Sequence, residues 1–182
     1  SQREGATLFM TLLAAFNVLL ARYSGQQDLV IGSPVAGRTL VETEPLIGFL
    51  VNLLALRTDL RGNPTFRALL QQVRHTALEA FSHQDVPFEQ VVTELRPERN
   101  LSYNPIFQTA FALQNETTAE LRLPGLQLSP VKISSVTAKF DLFLSLCEVP
   151  TGLRAVVEYN TDLFDAATIQ RLLRHYQTLL ES

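Results

Sequence analysis

The feature that most constrains this chain is the stretch at residues 30–57, VIGSPVAGRTLVETEPLIGFLVNLLALR, in which two apolar runs enclose a polar, Gly/Pro-rich crossing. Leu29, Val30 and Ile31 form a short strand-forming run that stops at Gly32, Ser33 and Pro34, and Leu53 to Arg57 reads as a buried strand leaving Asn52. A connection this long between two strands of a compact domain is functional or structurally committed. Inside it stands one isolated cation, Arg38, among Gly37, Thr39 and Leu40. An arginine so placed is either exposed or paired with a buried carboxylate, which its planar fork would hold in one geometry. No residue of this chain is an obvious partner for it.

The flanking segments supply helices. Leu8, Phe9, Leu12, Leu13, Phe16, Leu19, Leu20 and Tyr23 recur at helical spacing, with Met10, Ala14, Ala15 and Val18 on the other side, so this helix is apolar nearly all round and should be buried, ending at Gly25. After the crossing, Asn63-Pro64 reads as a cap followed by proline in the first turn of an amphipathic helix. Phe66, Leu69, Leu70, Val73, Ala77 and Phe81 form its inner face, and Arg67, Gln71, Arg74, His75 and Glu79 face solvent. His83-Gln84-Asp85-Val86-Pro87-Phe88-Glu89 leads into a short helix whose first turn Pro87 presets, with Phe88, Val91, Val92 and Leu95 on one face and Pro97 beyond it.

Strand patterns dominate the remainder. Ile106 to Gln114 alternates as a strand with one deeply buried face; residues 126–133 alternate imperfectly around Pro130, which confines that strand to an edge or a bulge. Asp141 to Val149 and Leu153 to Tyr159 flank Pro150-Thr151-Gly152 and read as a hairpin with a three-residue connection. The chain closes in a helix capped by Asp165, with Phe164 and Ile169 as a hydrophobic staple and Leu172, Leu173, Tyr176 and Leu180 on its face. No repeat or linker interrupts the 182 residues, so the expectation is one α/β unit: a mixed β-sheet of about six strands covered by helices.

Composition narrows the function classes. Hydrophobic residues make up 46% and charged residues 18%, which suits a packed core. A net charge of -3 without any Lys/Arg cluster argues against a nucleic-acid or anionic-membrane partner. The most apolar runs fall short of the roughly 20 residues that span a bilayer. Cys147, the one cysteine, lies in an apolar run and reads as a core residue, in keeping with a cytoplasmic location. The chain opens on Ser1 with its first helix almost immediately after, as an excised piece would.

The residues that carry chemistry are few. There is no phosphate-binding glycine loop, no nucleophile elbow, no Cys/His metal spacing. His75 and His175 read as surface residues on helices, and His83 as a residue pinning a loop; none declares an orienting partner of the kind acid-base catalysis needs. Asp141, Glu42 and Glu44 read as strand-edge and solvated loop carboxylates, and Asn104 before Pro105 fits turn chemistry.

Taken in order, ATLFMTLLAAF, LLARYSGQQDLVIGSPVAGR, LIGFLVNLLALR, HQDVPFEQVV, PERNLSYNPIFQTAFALQN and KFDLFLSL resemble the C-terminal half of a condensation domain of non-ribosomal peptide synthetases, of the type joining an L-configured donor to an L-configured acceptor. The resemblance covers nearly the whole chain. It implies one half of a chloramphenicol-acetyltransferase-like fold, in which two αβ subdomains form a V and enclose a tunnel entered from both ends by phosphopantetheine arms of carrier proteins. On this likeness residues 1–182 are the C-terminal subdomain, Arg38 pairs with the Asp of the family's His-His-x-x-x-Asp-Gly signature, Asn104 stands near the tunnel, residues 39–52 form the tunnel floor, and about residues 116–131 form a latch onto the other subdomain.

This sequence departs from the family in having no two adjacent histidines. The catalytic residue is therefore expected on an N-terminal half, and the chain alone is expected to be inactive. The implied partners are that half, donor and acceptor peptidyl carrier proteins and an adjacent adenylation domain; no cofactor or metal is expected to bind directly. A noncatalytic module that docks carrier or adenylation domains is the alternative, and domains that epimerise or cyclise rank third because HQDVPFE and NPIFQ favour condensation.

Overall fold

The computed structural model describes residues 1–38, 41–98, 100, 102–114, 126 and 137–182. Helix α1, Leu8–Ser24, starts where the Thr7 hydroxyl accepts the Met10 N–H and stops at Gly25, whose φ of 71° turns the backbone left-handed and sends its N–H to the Ala21 carbonyl. A hairpin follows, β1 (Asp28–Val35) with β2 (Asn52–Asp59), then α2 (Phe66–Ser82), α3 (Phe88–Leu95), β3 (Thr109–Gln114), a second hairpin of β4 (Leu142–Val149) with β5 (Gly152–Tyr159), and α4 (Ala166–Glu181).

Among the described residues five strands form one mixed sheet in the order β2-β1-β3-β4-β5, antiparallel within each hairpin and parallel across β1/β3 and β3/β4. The mixed, helix-covered sheet inferred from the sequence is therefore the observed one, and the sixth expected strand, residues 126–133, lies outside the described residues apart from Leu126. Ile31, Leu54, Leu56, Phe111, Leu142, Leu144 and Leu146 point to one face of the sheet and pack beneath α1, α2 and α4. That core is also aromatic: Phe9 contacts Phe81 and Phe111, and Phe16 contacts Phe111 and Tyr176.

Several local expectations are corrected. β1 does not stop at Gly32 but runs through Ser33 and Pro34 to Val35. Pairing with β3 touches β1 only at Gly32, and Pro34 lies past it, opposite Leu53 of β2 near the end of the strand. Helix α2 is capped by Thr65, whose hydroxyl accepts the Ala68 N–H; Asn63 has φ 52° and Pro64 precedes the cap. Pro87 is likewise the N-cap position of α3 and not in its first turn. β3 begins at Thr109 because Ile106 has φ 71°, which a strand cannot contain, and its alternate residues Ala110 and Ala112 are buried too, so both of its faces are covered. The second hairpin has a two-residue connection, since Gly152 pairs with Val149. Phe66, Leu95 and Leu180, assigned to inner faces, are exposed, as is Tyr23, and each lies in the first or last turn of its helix. Cys147 is buried, as expected of a core residue.

Two buried polar groups test this packing. Tyr176 is buried and its hydroxyl donates to the Leu12 carbonyl of α1 at 2.8 Å; burial pushes the phenol well above its ordinary range, which keeps it a donor. Tyr176→Phe should cost about 1–2 kcal/mol, read as a lower denaturant midpoint. Asn17, fully buried in α1, donates to the Leu13 carbonyl at 3.0 Å, but its Oδ1 has no partner among the described residues. Removing an unsatisfied buried acceptor is favourable, so Asn17→Leu should raise the midpoint by about 1 kcal/mol of stability, and a loss of stability there would contradict the packing described.

Candidate functional site

The site residues expected from the sequence lie on two separate segments, Arg38 in the crossing after β1 and Asn104 before β3. Side chains alternate along a strand, and since Ile31, Phe111 and Leu144 face the helices, Gly32, Ala110 and Phe143 face the other way, side by side in the register. A band of aromatic rings lies over them. Phe88 of α3 stands 5.1 Å from Phe107, Phe107 is 5.9 Å from Phe140, and Phe140 is 6.0 Å from Phe143, centroid to centroid. Phe107 sits directly on Gly32: a Cβ there would fall 2.0 Å from a ring carbon. The close approach explains why strand β1 carries glycine at its midpoint.

The crossing joins Val35 of β1 to Asn52 of β2. At its base Gly37 has φ 61°, and a Cβ on it would fall 1.9 Å from the Leu50 carbonyl oxygen, so the two limbs touch through a position only glycine can fill. Arg38 is half-buried, and its Nη1 donates to three carbonyls of the crossing, those of Thr43, Glu44 (3.1 Å) and Leu46 (2.8 Å). Among the described residues the arginine that lacked a visible partner therefore meets three acceptors, sharing the two Nη1 hydrogens between backbone oxygens of a short 3-10 turn at Val41–Thr43 and of the residues after it. The crossing exposes five apolar residues beside Glu42 and Glu44: Val41, Leu46, Ile47, Phe49 and Val51, Ile47 completely and Phe49 at 85%. Exposed apolar residues clustered on one loop mark a contact surface.

Asn104 is exposed at the other end of the aromatic band. Its Nδ2 donates to the Lys139 carbonyl at 2.8 Å, directly before Phe140, and its own carbonyl accepts from Gln108 Nε2. The residue that sequence reasoning left as a mere strand start is Asn52. Its Nδ2 donates to the Gln84 and Val86 carbonyls at 2.8 and 2.7 Å, and its Oδ1 accepts the Phe88 N–H at 3.1 Å. An asparagine at the junction of an apolar run and a strand, where alternation predicts an apolar residue, was the available signal.

The histidines contribute no acid-base pair. His83 caps α2, with Nδ1 at 2.9 Å from both Ser82 Oγ and the Glu79 carbonyl, and His175 lies on the surface at 2.9 Å from the Tyr23 hydroxyl. Among the described residues none pairs with a carboxylate, and no group of three His, Cys, Asp or Glu side chains converges. No helix of the described residues is long and apolar enough to cross a membrane. A groove of about 750 Å³ between α1 and the ends of α2 and α4 lies away from these residues.

A helix-backed mixed sheet with a second face covered by aromatic rings and a long crossing is the architecture of one half of the chloramphenicol-acetyltransferase-like fold. Among solved structures the X-domain from teicoplanin biosynthesis superposes with a TM-score of 0.90 at 32% identity, over 99% of this chain and 42% of that one. A four-domain nonribosomal peptide synthetase bound to AMP and glycine gives 0.88 at 30% identity, over 97% of this chain and 15% of that one. The whole of residues 1–182 matches the family model "Condensation domain", and the chain belongs to that family. A linear gramicidin synthase polypeptide of Brevibacillus parabrevis is 60% identical over 182 residues, which are 99% of this chain and 2% of that protein; chondramide synthase of Chondromyces crocatus is 54% identical over 99% of this chain and 5% of that protein. The chain thus corresponds to part of one domain in much longer synthetases.

Proposed function

We propose that residues 1–182 are the C-terminal subdomain of a cytoplasmic condensation domain, which with an N-terminal half forms the peptide bond between two carrier-tethered aminoacyl or peptidyl thioesters, both L-configured. In that reaction the acceptor amine attacks the donor thioester carbonyl, the C–S bond breaks, and the amine's proton ends on the departing thiol. This chain supplies no group for the proton transfer. The aromatic sheet face is the tunnel wall, the crossing is its floor, and Arg38, already oriented by carbonyls of the crossing, is the residue that meets the Asp of the histidine signature. Asn104 supports the wall where it tethers the segment before Phe140. The latch at about residues 116–131 lies outside the described residues apart from Leu126. Phosphopantetheine arms of the donor and acceptor carrier proteins enter this tunnel, an adenylation domain adjoins it, and the chain itself binds no cofactor.

The observation that carries the reading is the crossing: a loop held by one arginine and one glycine contact that nevertheless turns Ile47 and Phe49 outward needs a second body to cover it. Before that body is present the same residues should drive self-association. Sedimentation of the 182-residue chain is expected to show an average mass that rises with concentration, and Ile47→Asp should suppress the rise; a wild-type monomer at high concentration would count against a missing half.

A second reading is favoured by one observation: the similar X-domain of teicoplanin biosynthesis has been solved as a complex with OxyB. A noncatalytic module that recruits a partner protein would use the same open surface. Reconstitution separates the two. The chain is mixed with an N-terminal half and with loaded donor and acceptor carrier proteins, and dipeptidyl transfer is followed by intact mass. Transfer that requires both halves supports the enzyme; binding without transfer, while the unsplit domain works, supports the docking module.

A further inference from the structure

We propose that Asn52 is a positioning residue that pins the exit of the crossing to the start of α3 and, through Phe88, sets the aromatic band over the second sheet face. The proposal rests on the reading of that face as the tunnel wall. Helix α3 has proline at its N-cap position, which provides no side-chain acceptor, so the Phe88 N–H is left to find one elsewhere. Asn52, 36 residues earlier and at the first position of β2, accepts it with Oδ1. The same amide spends both Nδ2 hydrogens on the Gln84 and Val86 carbonyls of the turn between α2 and α3.

Only a terminal amide at this reach offers one acceptor and two donors together. Aspartate keeps the acceptor but sets a charge against two carbonyls, and alanine leaves all three backbone groups unpaired. Val51 and Leu50 lie immediately before Asn52, so what holds Asn52 also holds the returning limb of the crossing, against which Gly37 is packed. On the other side Phe88 is the first ring of the band that continues through Phe107 and Phe140 to Phe143. One side chain therefore joins the floor to the wall, and both should lose their fixed relation when it is removed.

The test uses the complete condensation domain with Asn52→Ala and Asn52→Asp, read by hydrogen exchange and by transfer between loaded carrier proteins. In Asn52→Ala, amides at residues 84–88 and on the returning limb, residues 46–51, should exchange about tenfold faster while β3 and β4 keep their protection. Transfer at saturating acceptor carrier should fall about tenfold or more with KM for that carrier changed less than about twofold, since geometry and not docking is lost. Asn52→Asp should restore protection at Phe88 alone and leave transfer low. Unchanged exchange at residues 84–88 would overturn the proposal, and so would an equal rise throughout β3 and β4, which would make Asn52 a global stabiliser. If the wild-type domain performs no transfer, the functional reading fails, and the exchange pattern by itself still decides whether Asn52 pins the two segments.

Discussion

Gly32→Ala is expected to destabilise the fold by about 3 kcal/mol, at the upper end for overpacking, and to lower the denaturant midpoint with little change in slope. The added Cβ would lie 2.0 to 2.5 Å from three carbons of the Phe107 ring, inside any tolerable contact. The ring has nowhere to go: it is 2% exposed and wedged between Phe88 and Phe140. Its backbone is equally committed, since Phe107 donates to the Pro105 carbonyl at 2.8 Å and follows Ile106 in the left-handed region. Strand β1 cannot retreat either, because it is laddered to β2 along eight residues. The decisive comparison is a double-mutant cycle. Phe107→Leu alone should be destabilising, yet Gly32→Ala combined with Phe107→Leu should recover more than about 1 kcal/mol relative to the sum, because the smaller side chain removes the clash. Additive effects would show that the ring does not seat on Gly32.

That contact also illustrates what a sequence can reveal. The helix-side core was legible because it is periodic: Leu12, Phe16 and Leu19 in α1 and Leu69, Val73 and Ala77 in α2 repeat at helical spacing and are all buried. Caps were legible where the chemistry is unambiguous, as at Gly25, and were misplaced by two residues at Asn63, where a second capping residue, Thr65, stood within reach. The aromatic face was not legible. It is built from contacts distant in sequence, Gly32 with Phe107 and Asn52 with Phe88, and no local pattern encodes which ring will lie on which glycine. Ile106 to Gln108 illustrates the same limit: alternation alone made them strand, and a single left-handed residue, chosen by tertiary packing, bent them out of the sheet.

Arg38 was conspicuous in the sequence for lacking a partner, and finding three carbonyl partners divides its role into two parts that can be measured apart. Within this chain Nη1 holds the turn of the crossing, but the accepting residues Glu44 and Leu46 are exposed, so water can replace the guanidinium there. Loss of that contact should cost only about 1 kcal/mol and appear as faster exchange within residues 41–46. Pairing with a carboxylate of the other half is a different matter. If the crossing closes over the tunnel, the pair is taken out of water, and removing one member strands the other, at about 3 to 5 kcal/mol. Arg38→Ala is therefore expected to have a mild, local effect on the 182-residue chain and a severe one on the complete domain, where stability or transfer should fall by at least two orders of magnitude. Arg38→Lys sharpens the distinction: a single ammonium keeps the charge and can still reach the turn, but it lacks the planar fork that engages carbonyls on one side and a carboxylate on the other. It should restore the crossing and leave transfer impaired. Wild-type stability and turnover in the Arg38→Ala domain would sink the ion pair and leave Arg38 as a staple for its own loop.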